Sequence, residues 1–384
     1  MEAFRMLTRV RRVKRSLGMP SSSTAVRYAV VGLGHIAQAA VLPAFAHARR
    51  SRLAALISGD ARKRAQLSRK YKVPAFSYEQ YEDCLAQVDA VYIALPNSMH
   101  AEYTVRAANA GVHVLCEKPL AVTVRECEQM IEACSSARVK LMTAYRLHFE
   151  PLYLEALDLV HRGRIGAPKF FTSSFSMRVR PGGIRTRRET GGGTLYDLGV
   201  YCINAARTLF RAEPKQVFAH AVNAVPKLLP DIDESTAAVL RFDGERVATF
   251  TTSFNAADTA WYAIVGTKGQ LCLDPAYEYS EPLAYELMVE DNSKTKTGRK
   301  QDQFAPELEY FSDCIRRNRE PEPSGLEGLQ DVRIVEALYE SANTQKPVNL
   351  PPYEEASQTT KQQRMRRPPI REPDLVKAEV PFKE

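Results

Sequence analysis

No stretch of this chain approaches the roughly 18 consecutive apolar residues that a membrane-spanning helix needs, so no transmembrane helix is expected. Cysteine is sparse and dispersed: seven residues, none in a CxxC pair, which argues against a disulfide framework or a zinc site and for reduced thiols in the cytoplasm. The seven histidines show no ligand spacing, so no metal is expected. No internal repeat occurs, which removes solenoids and propellers. No apolar segment follows the N-terminal arginines, so a secretory signal is not expected either.

An excess of one charge sign is present, but it is local. Of the net +8, residues 1–26 carry six bases against one acid and residues 351–384 carry seven bases against six acids, leaving +2 for the body. The expectation is a basic N-terminal arm over 1–26 that is solvated or touches a partner, with no specific nucleic-acid site. At 384 residues the chain has room for two domains.

What is present is a rhythm that changes once. From RYAVV (27–31) to KLMTAYR (140–146), short apolar runs alternate with charged or amphipathic helical stretches, including DARKRAQLSRKYK and VRECEQMIEACSSA. That alternation predicts a doubly wound parallel sheet, a Rossmann domain over 27–148. After a helical PLYLEALDLVHRG, strand-like runs follow without intervening helices: FFTSSFSMRV, QVFAHAVNAV, STAAVLRF, RVATFTTSF, WYAIVGT and GQLCLD. They predict an α/β domain with a large, mainly antiparallel sheet over 149–350, closed by helices at about 305–318 and 326–343, with a tail at 351–384.

GLGHIA places Gly32, Leu33, Gly34, His35, Ile36 and Ala37 between the first strand and a helix running to about residue 48, and fits G-x-G-x-x-A. The first glycine permits the tight turn, the second lets backbone approach a pyrophosphate, and the small sixth residue allows close helix–strand packing. The second strand ends on Ser58, where an NAD enzyme usually carries a carboxylate for the adenosine ribose. A hydroxyl followed by Arg62, Lys63 and Arg64 suits a 2′-phosphate, so NADP is expected in preference to NAD, with Asp60 available to cap the next helix.

Three further stretches have the composition of a site. LCEKPL ends a strand on Glu117 and Lys118 before Pro119, at the carboxyl rim where ligands bind in a doubly wound sheet. LPNSMH, with Leu95, Pro96, Asn97 and His100, follows the fourth strand and is placed at the nicotinamide end. TRRETGGGTLYDLGVY sets Asp197 and Tyr201 four apart on one helix face. Facing a lysine across a cleft, they would make an orienting carboxylate and a proton-transfer group.

Taken together, GxGxxA, EKP and Gly-Gly-Gly followed by D-x-x-x-Y resemble the glucose–fructose oxidoreductase/inositol dehydrogenase/MocA family. VYIALPNSMHAE, HVLCEKPL, LMTAYRLHFEP and GLQDVRIVEALYESA resemble its glucose–fructose oxidoreductase branch, and the likeness runs from about Arg27 to Val348. The resemblance implies that Lys118 touches substrate and nicotinamide ribose through a cis Lys118–Pro119 bond, that Asp197 places the sugar, and that Tyr201 transfers the proton. It also implies that Ser58 and Lys63 meet the 2′-phosphate, and that Arg146, Arg185 and Tyr279 line the cofactor or substrate pocket. A homo-oligomer, dimer or tetramer, is implied through the second sheet.

The expected function is therefore an NADP-dependent oxidoreductase acting on a carbinol of a sugar or polyol: aldose to lactone, or a sugar interconversion. The proton passes to Tyr201, and a neighbouring Lys118 ammonium stabilises the phenolate side of that exchange. A trans-dihydrodiol or other diol dehydrogenase would share every one of these residues. A catalytically silent NADP-binding or redox-sensing protein would bind the cofactor without turnover.

Overall fold

The computed structural model describes residues 25–353, 359–378 and 380–382. The basic arm over 1–26 lies outside the described residues except for its last two positions.

The first sheet is built from β1 (Val26–Val31), β2 (Ser51–Ile57), β3 (Ala75–Phe76), β4 (Ala90–Ile93), β5 (His113–Glu117) and β6 (Leu141–Ala144). Its order is β3-β2-β1-β4-β5-β6 and every pair is parallel. The connections are α1 (Leu42–Ala44, after a π-helical turn Ala37–Val41), α2 (Ala61–Tyr71), α3 (Tyr81–Leu85), α4 (His100–Asn109) and α5 (Val124–Ala137). The strands read as unbroken apolar runs because both faces are covered. In β1, Ala29 and Val31 pack with α4 and α5, whereas Tyr28 and Val30 pack on the opposite side. The order reverses between β1 and β4, so the glycine loop after β1 opens at the switch point where such sheets bind ligands. Helix α1 stops at Ala44, short of the expected residue 48, and the chain continues in turns.

The second region contains α6 (Pro151–His161), β7 (Pro168–Ser176), α7 (Val200–Phe210, after a π-helical turn Leu195–Gly199) and β8 (Gln216–Val222). It continues with β9 (Ser235–Phe242), β10 (Arg246–Ser253), β11 (Thr259–Gly266), β12 (Gly269–Leu273), β13 (Ala284–Val289) and β14 (Asn292–Thr297). Helices α8 (Phe304–Arg317) and α9 (Gly325–Thr344) and the short β15 (Val348–Asn349) follow. The nine strands lie in the order β14-β13-β12-β11-β7-β10-β9-β8-β15; β7 and β10 run parallel and the other pairs antiparallel. Alternate burial in β9 marks one covered and one open face. Strands β13 and β14 are absent from the expected set. The second of these, NSKTKT, is a mostly exposed polar edge strand with no apolar alternation to announce it.

Packing departs from a contiguous split at 148/149 in one respect. Helix α8 carries Phe304, Leu308 and Phe311 on the face that covers β1, and Ser312 Oγ lies 2.9 Å from the Tyr28 hydroxyl. Helix α9 divides its apolar positions, Leu329 and Val332 entering the first core and Ile334, Val335 and Leu338 the second. The two regions are therefore sewn together by the C-terminal helices. The segment read as a tail also returns to the first region, where Ile370 and Val376 pack on the same core as α8.

Candidate active site

Between the two sheets lies a cleft of about 650 Å³. Its walls include Gly34, His35 and Ile36 of the glycine loop, Leu95 and Asn97 after β4, Glu117 and Lys118 at the end of β5, and Arg146 after β6. From the second region it takes Arg185, Asp197, Tyr201 and Tyr279. Gly32, Leu33, Ser58, Lys63, Pro96 and His100 are not among the residues that line it.

The glycine loop separates two demands for glycine. Gly32 has φ +91°, and a Cβ there would stand 2.4 Å from the Ala94 carbonyl oxygen, so the fold itself requires it. At Gly34 nothing of the protein lies within 4 Å of an added Cβ. The open space there is the cleft itself, which suits close approach of a ligand backbone such as a pyrophosphate. Beside it, Gly32 N donates to Ile57 O at 2.9 Å, which brings the end of β2 next to the loop. Ser58, almost buried, accepts from Asp60 N at 3.2 Å and so keeps its own hydroxyl proton to donate. Asp60 caps α2, accepting from Arg62 N at 2.8 Å and Lys63 N at 3.0 Å, which is the capping alternative read from the sequence. These residues fit a dinucleotide bearing a phosphate on its adenosine ribose.

At the other end, the Lys118–Pro119 bond is cis, as the resemblance implied. Lys118 Nζ donates to the Asp197 carbonyl at 2.9 Å, lies 3.5 Å from its carboxylate, and sits 4.4 Å from the centre of the Tyr201 ring. Arg185 Nε holds the other carboxylate oxygen at 2.6 Å. Burial alone would raise the Asp197 carboxyl, but the Arg185 and Lys118 charges outweigh it and hold the group below its ordinary value. Asp197 is thus an anion at neutral pH, clamped between two cations.

Tyr201 and Asp197 share a face because the turn before α7 delivers them four residues apart. The glycines before them are structural: a Cβ on Gly192 would meet the Arg185 carbonyl at 2.4 Å, so the loop carrying Arg185 folds tightly over the turn. Asn97 Nδ2 donates to Gly191 O at 2.8 Å and ties this turn to the first region.

The phenolic oxygen meets a different cation from the one expected. Arg146 Nη2 donates to it at 3.3 Å, while Lys118 lies over the ring. Arg146 is buried and bonded to Gln303, to the Tyr277 carbonyl and, at 3.4 Å, to the Glu278 carbonyl. Its guanidinium also stacks 5.2 Å from the Tyr279 ring.

His100 stands behind the wall. Its Nδ1 lies 3.0 Å from Pro119 O and its Nε2 3.0 Å from Leu95 O, and the side chain is fully buried. It pins two loops that present Leu95 and Lys118, rather than touching the cleft. Glu117 accepts from the Tyr92 hydroxyl at 2.8 Å, and the same hydroxyl lies 3.3 Å from buried Glu307. Burial raises both carboxyls, against the Lys118 charge at Glu117 and with the Glu117 charge at Glu307.

Sequence reasoning missed Gln303, Tyr277 and Glu278, which fasten Arg146, and Phe382 on the cleft wall. They come from loops and the tail, where no periodicity or motif marks them.

Two family models match the chain: "Oxidoreductase family, NAD-binding Rossmann fold" over residues 26–145, and "GFO/IDH/MocA C-terminal domain" over residues 153–272. Among curated proteins, the D-xylose 1-dehydrogenase [NADP(+)] of Haloarcula marismortui is 31% identical over 335 residues, covering 85% of this chain and 93% of that one. Among solved structures, an aldose-aldose oxidoreductase from Caulobacter crescentus complexed with glycerol superposes with a TM-score of 0.81 and 34% identity, covering 85% of this chain and all of that one. A 3-ketoreductase from Actinomadura kijaniata in complex with NADP and TDP-benzene gives a TM-score of 0.76 at 26% identity, covering 83% and 98%.

Proposed function

The chain belongs to the Gfo/Idh/MocA family of oxidoreductases, and from that membership we propose that it is an NADP-dependent enzyme oxidising a carbinol of a sugar or sugar-like polyol. The observation that carries this reading is the convergence of Lys118, Arg146, Asp197 and Tyr201 on one cleft with the glycine loop. Sugar-oxidising relatives that use NADP support it.

When bound, the nicotinamide supplies the hydride acceptor. The residues of this chain place the carbinol and take its proton. Tyr201, reacting as its phenolate, accepts the proton of the C1 hydroxyl of an aldopyranose and becomes the phenol as the C1–H bond gives up its hydride, and the sugar leaves as the lactone. Arg146 beside the phenolic oxygen and Lys118 on the ring face offset negative charge on Tyr201 during that exchange. Asp197 holds Lys118 and accepts from the sugar hydroxyls. Gly34 lets the pyrophosphate approach, and Ser58 with Lys63 receives the 2′-phosphate.

The test is turnover of aldoses, D-xylose and D-glucose among them, with NADP⁺ and with NAD⁺, followed by reduced-nicotinamide absorbance. The reading expects aldose oxidation with NADP⁺ preferred. Turnover of a trans-dihydrodiol in place of every aldose would move the substrate class, and absence of any turnover with cofactor bound would overturn the assignment.

The open face of the nine-stranded sheet supports a homo-oligomer. Phe170 is 48% exposed and Val239 39% exposed there, on strands β7 and β9 that both border β10. Light scattering that returns a monomer would remove this part of the proposal. The seven unpaired cysteines support residence in a reducing compartment such as the cytoplasm.

A further inference from the structure

The last described stretch of the chain returns to the mouth of the cleft. Gln38, buried in the helix after the glycine loop, holds it by two reciprocal bonds. Its Oε1 accepts from Val376 N at 2.7 Å, and its Nε2 donates to Val376 O at 2.9 Å. The same Nε2 donates to Leu33 O at 2.9 Å, so one amide joins the glycine loop to the C-terminal segment. One residue on, Lys377 Nζ donates to Asp60 Oδ2 at 3.0 Å. Beyond it, Phe382 lines the cleft and meets the His35 ring edge-on, with centroids 6.3 Å apart. Pro381 O and Phe382 O accept from Arg180 N and Nε at 3.0 and 3.2 Å. The segment is therefore fastened to the first region at Val376 and Lys377 and to the second at Pro381 and Phe382.

Resting on the NADP reading, we infer that this segment is a strap over the bound dinucleotide, in which Lys377 selects for the 2′-phosphate and Phe382 restrains cofactor release. The electrostatics require a residue of this kind. Asp60 lies two positions beyond Ser58, and a bare carboxylate there would repel a phosphate dianion. Lys377 neutralises Asp60 with one of its three donors and leaves two for the phosphate. Burial pushes the Lys63 ammonium down, Asp60 opposes that, and the nearby Lys377 charge adds to it, so an anion there would offset the effect on Lys63. Phe382 covers the side of His35, next to the position where Gly34 leaves room for the ligand.

The experiment measures equilibrium binding of NADPH and NADH by fluorescence titration, and their release by stopped-flow displacement, on the full chain. Lys377 is half exposed, so its replacement leaves the fold in place. Lys377→Ala should weaken NADPH about tenfold, the cost of one charge-assisted bond, while NADH changes less than about twofold. Adding Asp60→Asn should restore only the part of the NADPH affinity lost to Asp60 repulsion, because Asn still caps α2 and no longer repels the phosphate but does not replace the lost Lys377 bond. Phe382→Ala should speed release of both dinucleotides without changing their affinity ratio. A Lys377→Ala effect equal on both cofactors, or absent from both, overturns the phosphate role; an unchanged release rate in Phe382→Ala overturns the restraint. Equal affinity of the unaltered protein for NADH and NADPH would instead defeat the NADP reading, and the Phe382→Ala release rates would still decide the strap.

Discussion

Arg146 Nη2 donates to the Tyr201 hydroxyl at 3.3 Å from a fully formed cage of carbonyl and amide acceptors. A guanidinium held in this way stays charged and cannot swing away, so the phenolic oxygen keeps a cation beside it. Lys118 acts on Tyr201 from the ring face and not at the oxygen, because its ammonium is held by Asp197. Charge stabilisation at the oxygen and charge placement near the substrate are thus divided between two residues.

Tyr201→Phe removes the proton acceptor and keeps the ring on which Lys118 lies. Its kcat is expected to fall by about 10²–10⁴, the range for general acid–base assistance, while dinucleotide affinity stays within about twofold. Steady-state kinetics with a fluorescence titration checks both. Loss of dinucleotide binding with kcat unchanged would place Tyr201 in the cofactor site instead.

Arg207 is completely buried in α7 and bonded to Glu213 at 2.7 Å, Glu327 at 3.1 Å and Asp331 at 2.6 Å. Arg207→Met strands three carboxylates and is expected to destabilise the protein by about 3–5 kcal/mol. Urea denaturation at pH 7.5 measures it, and a loss under about 1 kcal/mol would mean the network contributes little.

His148 is buried between Asn204, at 2.9 Å from Nε2, and Thr359, at 2.6 Å from Nδ1. Burial pushes its imidazole down to about 4, against the weaker upward pull of the Asn204 bond. In the unfolded chain the ring takes a proton near pH 6.5, so its contribution is complete above that value and is lost as the pH falls toward 4. The loss is expected to reach about 3 kcal/mol, and His148→Gln should show a flatter pH dependence between 7 and 4 in urea denaturation. Parallel curves for the two proteins would rule this origin out.

Several parts of the site were readable because their chemistry is local. Gly32 and Gly34 stand two apart on a strand-to-helix turn, Lys118 ends a strand, and Asp197 and Tyr201 share a helix face; each is a short-range pattern that survives translation into three dimensions. Ser58 was readable by what it replaces at the end of β2, where its hydroxyl accepts from Asp60 N. His100 was placed at the nicotinamide end because LPNSMH follows the fourth strand, whereas its ring is buried with its two nitrogens 3.0 Å from the Pro119 and Leu95 carbonyls. Side-chain direction at a helix start depends on how the next loops pack, which no spacing encodes.

The sequence alone determined the two-region plan, since the period of its apolar residues dictates which faces must be buried, and it determined the glycine turn and the order of the reacting groups along the chain. Tertiary structure alone decided which cation reaches Tyr201, because Arg146 is aimed by Gln303, Tyr277 and Glu278, all more than a hundred positions away. It also decided the fate of the polar C-terminal segment. An extended chain binds through backbone groups and single side chains, such as Val376 to Gln38 and Lys377 to Asp60, and leaves no periodic trace for a reader of the sequence to find.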